Sequence, residues 1–264
     1  MCIRDSLGFV QRIENFDAER DTIVRLGYTE NNISATYRIR PTEGKITQHN
    51  ISVENIYYTN SDWSFNELSS ELSYSINFRN TADVSVSFNH NEIDLLFPFS
   101  FVADGAPLPR QRYSFNSISA SYSSDERKLV SYEVGAQTGS FYNGTLSRAN
   151  ADLNFRVQPW GNWSFGYQWN KLDFPETFGN EIITAFLSTL EIGFNRNLLW
   201  TTLFQYVQQN DFVGINSRLQ WRFSPQSDVF LVFVDNYDVF NGVPRFNNLR
   251  SNNRALILKV NYWY

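Results

Sequence analysis

Apolar residues recur at every second position along much of this chain, and the pattern is sharpest in the last thirteen residues, Asn252 to Tyr264. Taken from the end, Tyr264, Tyr262, Val260, Leu258 and Leu256 form an apolar row, while Trp263, Asn261, Lys259, Ile257 and Ala255 form a mixed one. Side chains of a strand alternate between faces, so this periodicity predicts a strand with one apolar and one wetter side. The same reading holds upstream. Val213, Ile215, Leu219, Trp221 and Phe223, broken by Ser217, oppose Gly214, Asn216, Arg218, Gln220 and Arg222. Ala149, Ala151, Leu153, Phe155 and Val157 oppose Arg148, Asn150, Asp152, Asn154 and Arg156. Trp163, Phe165, Tyr167 and Trp169 oppose Ser164, Gly166 and Gln168. A dry core does not accept such charges and amides unpaired, so one face prefers hydrocarbon and the other water.

Turn signals separate these segments in two alternating classes. Tight polar turns are predicted at Pro41–Gly44, Arg79–Ala82, Ser123–Glu126, Pro159–Asn162, Asn195–Asn197 and Ser224–Ser227. Connections that are on the whole longer fall at Asn60–Asp62, Leu96–Arg110, Tyr142–Gly144, Phe174–Asn180, Gln209–Asp211 and Val239–Ser251. Tight turns on one rim and longer loops on the other are the habit of up-and-down membrane barrels. The expected fold is all-β: a transmembrane up-and-down antiparallel β-barrel of about 14 strands, incomplete at its N-terminus. The last strand then descends from a long outer loop, which puts the C-terminus on the periplasmic side.

Composition agrees and excludes other classes. Aromatic residues make up 17% of the 264 residues and charged residues 19%, a high aromatic share for a water-soluble domain. The formal charge of −5 argues against a nucleic-acid binder that neutralises phosphates. No apolar run approaches the roughly 18 residues of a membrane helix, whereas barrel strands need only about 9–11 alternating residues. The single cysteine, Cys2, builds neither an internal disulfide nor a zinc site. The start lacks the apolar core of a secretion signal, so the chain is expected to be a fragment of a longer exported protein. Residues 1–6, Met1 to Ser6, resemble translated adapter sequence of the kind left at the start of metagenomic reading frames. They are set aside, leaving residues 7–264 as a single barrel domain.

A soluble sandwich would alternate too, with its apolar rows turned into a core. Large aromatics near strand ends weigh against it. Trp163, Trp169, Phe194, Trp200, Trp221, Phe223, Tyr262 and Tyr264 are the candidate girdle where a barrel meets the two membrane interfaces. Arg38, Glu133, Arg148, Asp152, Arg156, Glu191, Arg218, Arg222 and Lys259 are the candidate lumen-facing charges, which bias a pore or pair with one another to fill it. His49 and His90 read as lumen or rim polar residues, since no Ser-His-Asp, metalloprotease or phosphate-loop spacing is present. No catalytic residue, metal ligand or cofactor site is assigned. The apolar loop Leu96–Val102 is expected to pack over the rim. The Asn-rich loop at Phe240 to Asn248 has the amide-plus-aromatic chemistry that suits sugars, yet the same residues make ordinary turns.

The final aromatic strand resembles the closing strand of bacterial outer-membrane barrels. The segment Asn197 to Tyr264, with L-L-W-T-T-L-F-Q-Y, G-I-N-S-R-L-Q-W-R-F-S-P-Q-S-D-V-F-L-V and R-A-L-I-L-K-V-N-Y-W-Y, resembles the C-terminal barrel of a bacterial family of unassigned function. That family's N-terminal part is similar to family-9 carbohydrate-binding modules. Gly8-Phe9-Val10 and the middle of the chain fit more loosely. The resemblance implies a Gram-negative outer-membrane location, lipid and the barrel-insertion machinery as partners, and a carbohydrate ligand. The expected function is porin-like passage or surface binding of a solute, an oligosaccharide by this resemblance, and not catalysis. The alternatives are an anchor for an N-terminal carbohydrate-binding-like domain and, third, a membrane-embedded hydrolase with polar groups clustered at one rim.

Overall fold

The alternating segments become strands because β-branched and aromatic residues suit a pleated surface, and Gly, Pro, Asn and Asp punctuate them. The computed structural model describes residues 2–12, 28–102, 105–239 and 249–263. The strands are β1 (Cys2–Arg12), β2 (Tyr28–Ile39), β3 (Ile46–Asn60), β4 (Phe65–Phe78), β5 (Asp83–Asp94), β6 (Arg112–Ser123) and β7 (Val130–Phe141). They continue as β8 (Gly144–Val157), β9 (Gly161–Asp173), β10 (Asn180–Asn195), β11 (Leu198–Val207), β12 (Phe212–Ser224), β13 (Ser227–Val239) and β14 (Leu249–Asn261). All fourteen lie in one sheet in sequence order. Every register determined is antiparallel, so the chain is an all-β up-and-down meander. Among the described residues no pairing joins β14 to β1. The only helical piece among them is the short 3-10 turn Gln208–Asn210, and no helix is long and apolar enough to cross a membrane. Residues 2–6 of the segment set aside above lie in β1, paired from Cys2↔Arg38 onward.

Residues facing each other across an antiparallel pair share a face of the sheet. Two faces of opposite character result. In β2 to β5 one face carries Tyr37, Ile51 and Tyr74 in register with Val86, and Ala35, Val53 and Leu72 in register with Phe88. The other carries Arg38, Asn50, Ser75 and Ser85. In β11 to β14 the apolar face carries Trp200, Leu219, Leu231 and Leu258, and the opposite face Thr201, Arg218, Val232 and Ile257. The apolar rows are not covered: Leu72 is 51% exposed, Phe88 48% and Leu258 67%. Only nine hydrophobic side chains are buried among the described residues.

The chain forms two compact units. One comprises Met1–Tyr122, Gly135–Arg148 and Lys171–Glu181; the other comprises Ser123–Val134, Ala149–Asn170 and Ile182–Tyr264. The first holds the buried cluster Leu95, Leu108 and Tyr113, against which Ile93, Phe101, Phe115, Tyr142 and Phe178 pack. The Leu96–Val102 loop lies here, returning through the Phe99↔Leu108 bridge. Phe101 sits 5.0 Å from Phe141 and 4.9 Å from Tyr142 between ring centroids. Burying apolar rings against one another explains why so hydrophobic a loop tolerates its position.

The last strand departs from the sequence expectation by its bounds. The loop was expected to run to Ser251, yet β14 starts at Leu249, because pairing continues beyond an irregularity between Asn236 and Tyr237 to Val239↔Leu249. It ends at Asn261, so Tyr262 and Trp263 lie past the last ladder pair. Trp263 is nonetheless held: its N–H donates to Ser227 Oγ at 3.0 Å, and Ser227, fully buried, donates back to the Trp263 carbonyl at 3.4 Å. Tyr264 and the Phe240–Asn248 loop lie outside the described residues.

Candidate functional site

The polar face carries a cleft in each unit. In the second unit a cleft of about 290 Å³ is lined by Glu133 on β7, Asp152, Asn154 and Arg156 on β8, and Gly166 on β9. Gly166 permits the arrangement: a methyl group there would stand 2.8 Å from Asp152 Oδ1. Glu126 also lines it, so three carboxylates face one guanidinium. Among the described residues no three His, Cys, Asp or Glu side chains are grouped to hold a metal.

In the first unit a cleft of about 270 Å³ is lined by Glu67 on β4, Asn91 on β5, Ser117 and Phe115 on β6, Gln137 and Phe141 on β7, and Arg148 on β8. Tyr142, in the two-residue β7–β8 turn, also lines it. Gln137 Nε2 donates to Ser117 Oγ at 3.1 Å, which fixes the amide's orientation. Tyr142 takes a left-handed φ of 51°, uncommon for a bulky side chain. The reward is its ring, stacked on Phe115 at 5.1 Å and set edge-on to Tyr113 at 5.1 Å. Burial, with a smaller contribution from neighbouring Tyr113, raises the Tyr142 phenol pKa above its ordinary value.

The expected lumen charges therefore divide. Glu133, Asp152 and Arg156 share the second unit's cleft, and Arg148 lines the first unit's. Glu191 and Arg218 both face Thr201 across their strand pairs. Arg222 Nε lies 3.3 Å from Asp228 Oδ1, and Lys259 faces Phe230. Arg38 faces Asn50.

Of the expected girdle, Phe194, Trp221, Phe223 and Tyr262 are exposed near the tight-turn ends of β10, β12 and β14. Phe223 lies 5.8 Å from Trp221 and stacks on Tyr262 at 6.5 Å. Trp200 and Trp169 are half-buried, and Trp163 is exposed. Two of these indoles find partners across the sheet. Trp200 Nε1 donates to Ser217 Oγ at 2.8 Å and Trp163 Nε1 to Ser188 Oγ at 3.0 Å. Ser217, the break in the β12 apolar row, is thus the acceptor of an indole N–H.

Both histidines stand on the apolar face. His49 precedes Ile51 and Val53 in their row on β3, and its Nδ1 lies 2.8 Å from the Tyr74 hydroxyl. His90 continues the Val86–Phe88 row; its Nδ1 lies 2.7 Å from Asn116 Oδ1 and its Nε2 3.3 Å from Glu92 Oε1. Both ring nitrogens of His90 are thereby engaged by groups other than a serine hydroxyl. A second polar set on that face escaped sequence reading. Asp235 accepts from Arg254 at 2.7 Å and from the Tyr237 hydroxyl at 2.6 Å, and faces Arg254 in register. The signal was the alternation itself: Arg254 precedes Leu256 in the terminal row. No family model matches this chain, and no curated protein is detectably similar to it.

Proposed function

We propose that this chain is a transmembrane β-barrel of a Gram-negative outer membrane that passes or binds a solute, with oligosaccharide as the solute class. The carrying observation is the uncovered apolar face. A water-soluble monomer rarely leaves more than a few hundred Å² of contiguous apolar surface exposed. Here Ile51, Leu72 and Phe88 in the first unit, and Trp221, Leu231 and Leu258 in the second, are all exposed. Hydrocarbon tolerates strands only when their backbone groups are satisfied, and an antiparallel meander pairs each strand with its sequence neighbours. The strands run from 10 to 16 residues, enough to cross at a tilt where about 9–11 are needed. The resemblance of Asn197 to Tyr264 to a bacterial barrel supports the same placement. The polar face, with its two clefts, is the side that meets the solute.

The membrane reading is tested by comparing unheated and boiled samples on a gel after detergent extraction. A folded barrel migrates differently before boiling; a protein that stays soluble without detergent and shows no shift overturns the reading. Planar-bilayer recording then separates passage from anchoring, because absence of current at every voltage assigns the barrel to an anchor.

A further inference from the structure

We propose that the first unit's cleft is a subsite for one uncharged sugar ring; this rests on the solute-binding reading above and names where the solute is gripped. The chemistry is of two kinds, carried side by side on neighbouring strands of one face. Phe115 and Tyr142 supply flat apolar surface, held rigid by their mutual stacking at 5.1 Å and by the edge contact of Phe141 on Phe115 at 5.6 Å. The strands flanking Phe115 supply the Asn91 and Gln137 amides, each able to donate and accept, as neighbouring hydroxyls of a sugar require. Few convergent polar groups set against aromatic surface is the general make-up of small-molecule sites. Charge selects within that class. The cleft holds one carboxylate, Glu67, and one guanidinium, Arg148, so its net charge is zero and it favours neither an anion nor a cation. The second unit's cleft, with three carboxylates and little aromatic surface, lacks this combination. A volume of about 270 Å³ is at the small end for ligand pockets, suited to a single ring rather than a chain.

The test uses the full chain in detergent micelles, titrated calorimetrically with maltotriose, cellotriose and glucuronate. One of the neutral trisaccharides binds saturably, and glucuronate binds at least tenfold more weakly. Gln137→Ala and Arg148→Met each weaken the sugar at least tenfold. Phe115→Leu, which keeps bulk but loses the flat face, does the same. Each variant retains the heat-dependent gel shift of the parent. Unchanged affinity in the three variants overturns the assignment, as does tighter binding of glucuronate or no binding of either trisaccharide to the parent. The solute-binding barrel fails separately, through loss of the gel shift and current in the parent itself.

Discussion

Removing the Ser217 hydroxyl tests the apolar face most directly. Ser217 Oγ accepts from Trp200 Nε1 at 2.8 Å and lies 2.9 Å from Thr202 Oγ1. In Ser217→Ala the threonine hydroxyl rotates, but the indole N–H is fixed by its ring and loses its acceptor. If water bathes this face, a water molecule replaces the serine and the loss is small, about 0.5–1.5 kcal/mol. If hydrocarbon bathes it, the donor stays unsatisfied at a cost of about 1–3 kcal/mol, rising towards the 4–8 of transfer into a medium without hydrogen-bonding partners. The assay is reversible denaturant unfolding from lipid vesicles, with the folded fraction read from heat-sensitive gel migration. Trp200→Phe removes the donor and keeps an aromatic ring, so Ser217→Ala in that background is nearly neutral. A double-mutant coupling below about 0.3–0.5 kcal/mol, the range of independent sites, refutes the reasoning. The Trp163–Ser188 pair, at 3.0 Å, is an independent repeat of the same experiment.

Charge placed on the two faces has opposite consequences. Leu231→Arg, in the row with Leu219 and Leu258, costs about 2–4 kcal/mol at the bilayer midplane, whereas Arg218→Leu on the other face stays within about 1 kcal/mol; equal costs in the vesicle assay contradict the assignment of faces. The Asp235–Arg254 pair follows the rule that a lone charge on an apolar face is worse than none. Arg254→Met is therefore more destabilising than Asp235→Asn combined with Arg254→Met, and the reverse order counts against the pair as drawn. In the β3–β4 turn, Ser64 hydroxyl and N–H donate to Asp62 Oδ1 at 2.6 and 3.0 Å, holding its carboxyl below the usual carboxylate value. A depressed folded pKa means that this contribution is complete above the ordinary carboxylate range and is lost as pH falls through the lowered value. Hydrogen-exchange protection of the Ser64 amide falls on acidification in the parent and is flat in Asp62→Asn; parallel curves disprove the link.

How much of this was written in one dimension depends on what a property needs. Fold class needs only local facts. Period-two rows and turn residues are local, so fourteen strands and their order were legible, down to the Ser224–Ser227 turn where Pro225 presets one corner and Gln226 takes a φ of 60°. A binding cleft needs register, which no local pattern carries. Glu67, Asn91, Gln137 and Arg148 come from four strands, and nothing in their spacing announces that they converge. The same limit hid the engagement of His90 by Asn116 across to β6.

Some of that cross-strand information nonetheless leaves a trace in the alternation, as interruptions of the apolar rows. Ser217 interrupts β12 where Trp200 needs an acceptor. Ser188 interrupts the β10 row between Phe186 and Leu190, opposite the Trp163 indole. Asp235 interrupts β13 directly opposite Arg254, the interruption of β14. A polar side chain on a face that prefers hydrocarbon is costly alone and tolerable with a partner, so such breaks occur in pairs on neighbouring strands. Matching a break in one strand to a break or an indole in the next then fixes their register. Applied to β13 and β14, the match of Asp235 with Arg254 implies Leu231 opposite Leu258 and Val229 opposite Val260, which are the pairs the sheet forms.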